Sequence, residues 1–487
     1  MSKILLKDFL KECGVKFGTS GVRAKVTELT DKVVFVYTLG FIKLLKTKFP
    51  DYDLKKIIIA GDLRPSTPHI KQIVRLAIES QGIECKDAGY VPIPALTYFG
   101  VRQNIPTIMI TGSHIPSDRN GLKYIRQDGE LMKEDEKIFF EGEVEFDESY
   151  LSNNKEVNPD TSSLQNEVLS EYKNMYISFF EPDFLKRKKI GVYGHSAVGR
   201  DILYDLINSF GAETFKLGYS DTFIPVDTEA IRPEDEELAK KWVEEYKLDA
   251  IVTTDGDSDR PMISDELGNW FKGDVLGIFV AKYLGIEALA TPISSNTGIM
   301  GSGFKKVVST KIGSPYVIES MRQLSKEFSK VGAYEANGGF LLGSKLTSNT
   351  GSLEPLETRD AMLPLLSILK FCIDQNMKLS ELYSLIPARV TYSSKLDNFP
   401  LEKSKLIIEE LGKDESKLKL QISNVVNSKI SEVNTLDGIR LIFENGDIVH
   451  IRPSGNAPEL RIYTESSSKD KSVEINENVR KILLSFK

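Results

Sequence analysis

The sequence predicts an α/β chain of several domains that closes on an α+β domain, and three observations lead there. At 487 residues the chain exceeds what one hydrophobic core can hold and fits about three or four domains. A strand–loop–helix–Gly–strand unit occurs twice. Near the end, two apolar runs flank an Asn-Gly pair, which reads as an antiparallel hairpin.

The first copy of the repeated unit is KKIIIAGDLRPSTPHIKQIVRLAIESQGIECKDAGY, and the second is RKKIGVYGHSAVGRDILYDLINSFGAETFKLGY. In both, the glycine after the helix (Gly82, Gly211) is followed seven residues later by another (Gly89, Gly218). Strands alternating with helices in this way pair mainly in parallel. A weaker third copy begins at EALATPISSNTGIM. The polar stretch SYLSNNKEVNPDTSS, near 149 to 163, has the composition of a linker, and the texture changes again between Ile386 and Ser393. The last hundred or so residues hold LIFENGDIVHI, whose Asn445-Gly446 pair predicts a type I′ turn and an α+β domain.

Composition narrows the function. With 41% hydrophobic and 27% charged residues the chain is ordinary globular protein, and its formal charge of −7 argues against a nucleic-acid partner. Cys13, Cys85 and Cys372 lie far apart without a C-x-x-C pair, which fits reduced thiols in the cytoplasm. His69, His114, His195 and His450 are scattered too widely for a histidine-rich metal site. The opening MSKILLKDFLKEC lacks a continuous apolar region, and no apolar run approaches the roughly 18 residues of a membrane span.

The chemistry concentrates in a few loops. LDAIVTTDGDSDR sets Asp255, Asp257 and Asp259 at alternating positions after an apolar strand, with Arg260 next. Three carboxylates so close repel unless a hard divalent cation neutralises them, and oxygen-only ligation suits Mg²⁺. An EF-hand fails here because Arg260 replaces the loop glycine and Pro261 follows. A haloacid dehalogenase phosphatase would make Asp255 a nucleophile, but Asp259 stands where it carries Thr or Val. A solvated acidic turn is the plain alternative. In IPTIMITGSHIPSDRNGLKY a strand delivers Thr111-Gly112-Ser113, with His114 adjacent and Lys123 ten residues on. Ser113 there is either a phosphoryl carrier or an ordinary loop residue.

HIRPSGNAPELRIY offers Arg452, Ser454, Gly455 and Asn456 as a phosphate cradle, against an ordinary turn. FGTSGVR places Arg23 after a glycine-rich turn, and YEANGGF places Glu335 and Asn337 where they could hold vicinal hydroxyls.

Together these five segments, in this order and over nearly the whole chain, resemble the α-D-phosphohexomutase family. The resemblance implies four domains around a central cleft, three related α/β units with mixed sheets and a C-terminal α+β domain. The expected bounds are 1–158 with the phosphoserine loop, 159–266 with the metal loop, 267–388 with the sugar loop and 389–487 with the phosphate loop. The family's T-A-S-H-N-P appears as Thr111-Gly112-Ser113-His114-Ile115-Pro116, which makes Ser113 the phosphorylated serine. Its D-G-D-x-D-R matches 255 to 260 without departure, and its R-P-S-G-T-E-P appears as RPSGNAP with Asn456 and Ala457 substituted. Its G-E-x-S-G-H becomes Tyr334-Glu335-Ala336-Asn337-Gly338-Gly339, so the histidine is missing, and the E-A-N-G string is similar to acetylglucosamine-phosphate mutases.

The implied reaction interconverts hexose 6-phosphate and hexose 1-phosphate through phosphoserine 113 and a bisphosphorylated sugar, with mannose the leading hexose. Glucose or (acetyl)glucosamine phosphates are alternatives, as is an inactive sugar-phosphate-binding homologue. Ser113, Asp255, Asp257 and Asp259 are expected to hold one Mg²⁺ per chain, and a sugar 1,6-bisphosphate to act as activator. Arg260 would stabilise the moving phosphoryl group, Lys123 and Arg23 would assist proton transfer, and His114, beside Ser113, counts among the catalytic residues. Arg452, Ser454, Gly455 and Asn456 would hold the second phosphate, and Glu335 and Asn337 the sugar. The expected partner is a small phosphosugar, with no nucleic acid or membrane, for a cytoplasmic monomer or homodimer.

Overall fold

The computed structural model describes residues 2–15, 17, 18, 21–152, 162–453 and 459–486. Among them, four larger sheets follow one another along the chain. The first three repeat one plan. Lys56–Gly61 lies between parallel partners Glu84–Tyr90 and Thr107–Ile110. Lys189–Tyr193 lies in the same way between Glu213–Leu217 and Ala250–Thr254, and Ala288–Pro292 between Lys306–Thr310 and Val331–Tyr334. The Ile-rich run Ile57-Ile58-Ile59 is fully buried, as a strand covered on both faces requires. In each sheet the chain then doubles back into an antiparallel strand: Arg119–Arg126, Pro261–Ser264 and Phe340–Leu342. These are the mixed α/β sheets that the sequence predicted.

The four spaced glycines explain their own spacing. Gly82, Gly89, Gly211 and Gly218 all have positive φ, between +54° and +88°. Gly82 and Gly211 follow their helices, Gly89 lies near the end of strand Glu84–Tyr90 and Gly218 just past Glu213–Leu217, positions where a side chain would cost energy. The third copy is weak because its crossover shrinks to a 3₁₀ turn, Thr297–Gly301. Most of the predicted linker, residues 153–161, lies outside the described residues.

One core cluster joins the three α/β units, running from Ile58 through Val192 and Phe279 to Ile386. Helix Ser162–Phe179 ties it together. Tyr172 and Tyr176 on that helix both donate to buried Asp360, which also accepts the backbone N–H groups of Met362 and Leu363 at 3.1 Å each. A carboxylate so placed spends its lone pairs capping the next helix and is fully satisfied.

The last sheet is wholly antiparallel, in the order Val390–Leu396, Leu460–Ser466, Ile448–Pro453, Ile439–Phe443, Ile430–Asn434. Its core, from Leu396 to Leu483, is separate from the others. The predicted hairpin is present, but its turn is not type I′. Gly446 alone is left-handed (φ +83°), and the N–H of Gly446 donates to Phe443 O at 2.8 Å. That is a type I turn closed by a glycine bulge, so Asn445 never needs the left-handed region.

Two buried histidines make stability sensitive to acid. The Nε2 atoms of His195 and His450 lie 2.7 Å and 2.6 Å from the carbonyls of Thr254 and Asp437, and both Nδ1 atoms lack a partner. Burial pushes each imidazole down to about 4. A depressed folded value means stability is full above the ordinary histidine range and is lost as pH falls from about 6.5 toward 4. We expect His450→Gln to lose about 3 kcal/mol less stability than wild type over that interval, measured by urea unfolding at both ends.

Candidate active site

Three of the five segments singled out by sequence occupy one topological position. Ser113, the 255–260 run and Glu335 to Gly339 each sit in the turn between the last parallel strand and the antiparallel strand of sheets one, two and three. The three turns converge.

Ser113 is buried and left-handed (φ +57°), an uncommon conformation for a residue with a side chain. Its surroundings hold it there. Its N–H donates to Thr111 Oγ1 at 2.7 Å, and its carbonyl accepts from Arg64 Nη2 at 2.8 Å. Arg64, 1% exposed, also donates to the carbonyls of Ile115, Pro116 and Arg119, pairs with Asp62 and lies 4.1 Å from the Phe223 ring centroid. Gly112 makes this possible, because a Cβ there would meet Arg64 Cζ at 2.5 Å. Sequence reasoning missed Asp62 and Arg64, about fifty residues away from the loop they brace.

The hydroxyl of Ser113 points across to the second unit and donates to Asp255 Oδ2 at 2.6 Å. Asp255, Asp257 and Asp259 are all buried and each offers a ligand atom within 4.8 Å of the others. Asp257 Oδ1 and Asp259 Oδ1 have no hydrogen-bond partner. Buried carboxylate oxygens without partners, beside a third carboxylate, are a donor set that fits a hard divalent cation. Burial and then repulsion from Asp257 and Asp259 push Asp255 well above the usual carboxylate range. Against the cost of burial, Lys123 pulls Asp257 down, and Arg359, Lys123 and Arg260 pull Asp259 far down.

The cations of the site come from strands Gly21–Lys25 and Arg119–Arg126 and from the 255–260 turn. Lys123 donates to Asp257 Oδ2 at 2.8 Å and Asp259 Oδ2 at 3.1 Å. Arg260 stands 3.7 Å from Asp255, Asp259 and Glu229. Arg23 is exposed, on a strand paired with Arg119–Arg126, within electrostatic range of Asp257 and Asp259. His114 Nδ1 lies 3.3 Å from Ser113 Oγ. Burial, then the charges of Arg260 and Arg23, hold its imidazole well below the usual range, so it is neutral near pH 7.

Glu335 and Asn337 stand together but are already engaged. Glu335 accepts from Ser314 Oγ at 2.7 Å, from Arg359 and from Asn337 Nδ2 at 3.2 Å, while Asn337 Oδ1 accepts the N–H of Gly339 at 3.0 Å. Arg452 is not with this group. It pairs with Asp437 at 2.9 Å, beside Arg461 on the neighbouring strand. Ser454, Gly455 and Asn456 lie outside the described residues.

Comparison with known proteins identifies the family. Three family descriptions match: "Phosphoglucomutase/phosphomannomutase, alpha/beta/alpha domain I" over 14–145, its "alpha/beta/alpha domain III" over 272–389 and its "C-terminal domain" over 398–482. A phosphomannomutase of Salmonella muenchen is 40% identical over 473 residues, covering 97% of this chain and 96% of its own. One from Sinorhizobium fredii is 36% identical, covering 94% of this chain and 96% of its own. In fold, a phosphoglucomutase/phosphomannomutase family protein of Burkholderia thailandensis superposes with a TM-score of 0.71 at 17% identity, over 96% of each chain. The chain belongs to the phosphoglucomutase/phosphomannomutase family of α-D-phosphohexomutases.

Proposed function

We propose that the chain is a phosphomannomutase, interconverting mannose 6-phosphate and mannose 1-phosphate through a phosphoserine at 113 and a bisphosphorylated sugar. The observation that carries this reading is the 2.6 Å contact from Ser113 Oγ to Asp255 within a buried carboxylate trio. Two phosphomannomutases at 40% and 36% identity over nearly full length support the choice of hexose.

Ser113, Asp255, Asp257 and Asp259 would hold one Mg²⁺, which when bound supplies charge neutralisation at the transferring phosphoryl group. The rest falls to side chains. In the first half-reaction the bond from phosphorus to Ser113 Oγ breaks as one forms to a sugar hydroxyl oxygen. The hydroxyl proton passes to neutral His114, 3.3 Å from Ser113 Oγ, and the imidazolium gives a proton to the departing Ser113 oxygen, which leaves as the hydroxyl. Lys123 balances the charge of Asp257 and Asp259, while Arg260 and Arg23 bring positive charge to the phosphoryl group. Glu335 and Asn337 orient the sugar, and Arg452 with Ser454, Gly455 and Asn456 holds the other phosphate. The bisphosphate then turns over in the cleft, and its other phosphoryl group returns to Ser113, restoring the enzyme. Added sugar 1,6-bisphosphate would act as the activator by rephosphorylating enzyme that has lost its phosphoryl group.

The division at 158, 266 and 388 is supported by each main sheet falling inside one segment. Three free cysteines support a reducing, cytoplasmic setting, and no helix among the described residues is long and apolar enough to cross a membrane.

The Glu335-Ala336-Asn337-Gly338 string favours a second reading, an aminosugar mutase. A panel of mannose, glucose and glucosamine phosphates, with Mg²⁺ and catalytic glucose 1,6-bisphosphate, separates the two. The expected order of kcat/KM puts mannose first, and preference for glucosamine phosphate would replace this reading with the second.

A further inference from the structure

Arg359 is a buried cation that sequence reasoning passed over, and it touches both the metal loop and the sugar loop. It is 8% exposed, on strand Leu356–Asp360. Its Nε and Nη2 donate to Asp259 Oδ2 at 3.1 Å and 2.7 Å. Its Nη1 donates to Ser314 Oγ at 3.0 Å and to both oxygens of Glu335 at 3.2–3.3 Å. One planar fork thus spans carboxylates that come from different sheets, which a lysine ammonium on its flexible stem cannot do.

The space for this fork is made by a missing side chain. A Cβ on Gly339 would lie 2.7–2.8 Å from Cδ, Cβ and Cγ of Arg359. Gly339 is the position at which the family string carries histidine, so the shaft of Arg359 runs where that side chain would begin. The fork also orients Asp259. Arg359 and Lys123 together occupy Oδ2, and Oδ1 is left without a partner, free to serve as a ligand atom.

We propose that Arg359 is a positioning residue for phosphotransfer, clamping Asp259 and Glu335 in one geometry through the volume that Gly339 leaves open. This rests on the mutase reading, with a readout that does not.

The test compares wild type, Arg359→Ala and Arg359→Lys by Mg²⁺ calorimetry, thermal melting and kcat/KM for mannose 1-phosphate. Losing an outer partner of a metal ligand typically weakens metal binding about 10- to 100-fold, and a misplaced ligand set costs roughly 10²-fold in turnover. Both losses are expected in Arg359→Ala, with Arg359→Lys close behind. Added guanidinium should restore part of the alanine variant's kcat/KM, and urea, of similar shape but uncharged, should not. Wild-type Mg²⁺ affinity in either folded variant would overturn the proposal, as would full activity in the lysine variant or equal rescue by urea. If the alanine variant fails to fold, the lysine variant decides. A wild-type protein without mutase turnover would sink the functional reading alone, because the Mg²⁺ affinities still test the clamp.

Discussion

Ser113→Ala is expected to lower mutase turnover by at least about 10³-fold, because it removes the hydroxyl proposed to carry the phosphoryl group. The fold should survive. The contacts that hold the loop are made by the Ser113 backbone to Thr111 and Arg64, and alanine keeps both. What disappears is the hydroxyl and its bond to Asp255. Intact-mass measurement after incubation with glucose 1,6-bisphosphate should show one added phosphoryl group on wild type and none on the variant. The wild-type modification should resist mild alkali, as a serine ester does and an aspartyl phosphate does not. Undiminished turnover in Ser113→Ala would remove the phosphoserine from the mechanism.

Asp257→Asn is expected to produce the second large effect, a fall in kcat of roughly 10²-fold or more with a raised requirement for Mg²⁺. The substitution keeps the shape of the side chain but removes one of three charges from the ion's donor set. It also weakens the partner of Lys123, whose remaining carboxylate is Asp259. Stability should fall as well. Lys123 holds Asp257 below the usual carboxylate range against the cost of burial, so the native fold favours this charge, and the amide leaves a buried ammonium with one carboxylate fewer. Without Mg²⁺ the variant should therefore melt below wild type, and calorimetry with added Mg²⁺ should show weaker binding. A variant with wild-type kcat and Mg²⁺ dependence would exclude Asp257 from the ion's donor set.

Much of this site was legible because its chemistry is local in sequence. Asp255, Asp257, Asp259 and Arg260 fall within six residues, and a strand that ends in such a run announces itself. The repeated glycines were equally legible, since a positive φ selects glycine wherever it occurs. Arg64 and Arg359 were not. Each braces a loop from a distant strand, Arg359 being 100 residues from Asp259, and an arginine in a strand looks like any other until its partners are known. The clues lay in absences: Gly112 where the family string has alanine, and Gly339 where it has histidine. Each marks a volume that a guanidinium or its stem fills. The turn type at Asn445-Gly446 was misjudged because one left-handed glycine satisfies a bulged hairpin as well as a two-residue one.

The placement of the chemistry on three corresponding turns has an evolutionary consequence. A single ancestral turn, copied with its sheet, could diverge so that one copy carries the phosphoryl group, another grips the ion and a third reads the sugar. Because each of these proposed roles sits at the rim of its own sheet, selection can rewrite the turn assigned to the sugar and leave the other two alone, a simple route by which one architecture comes to serve many hexoses.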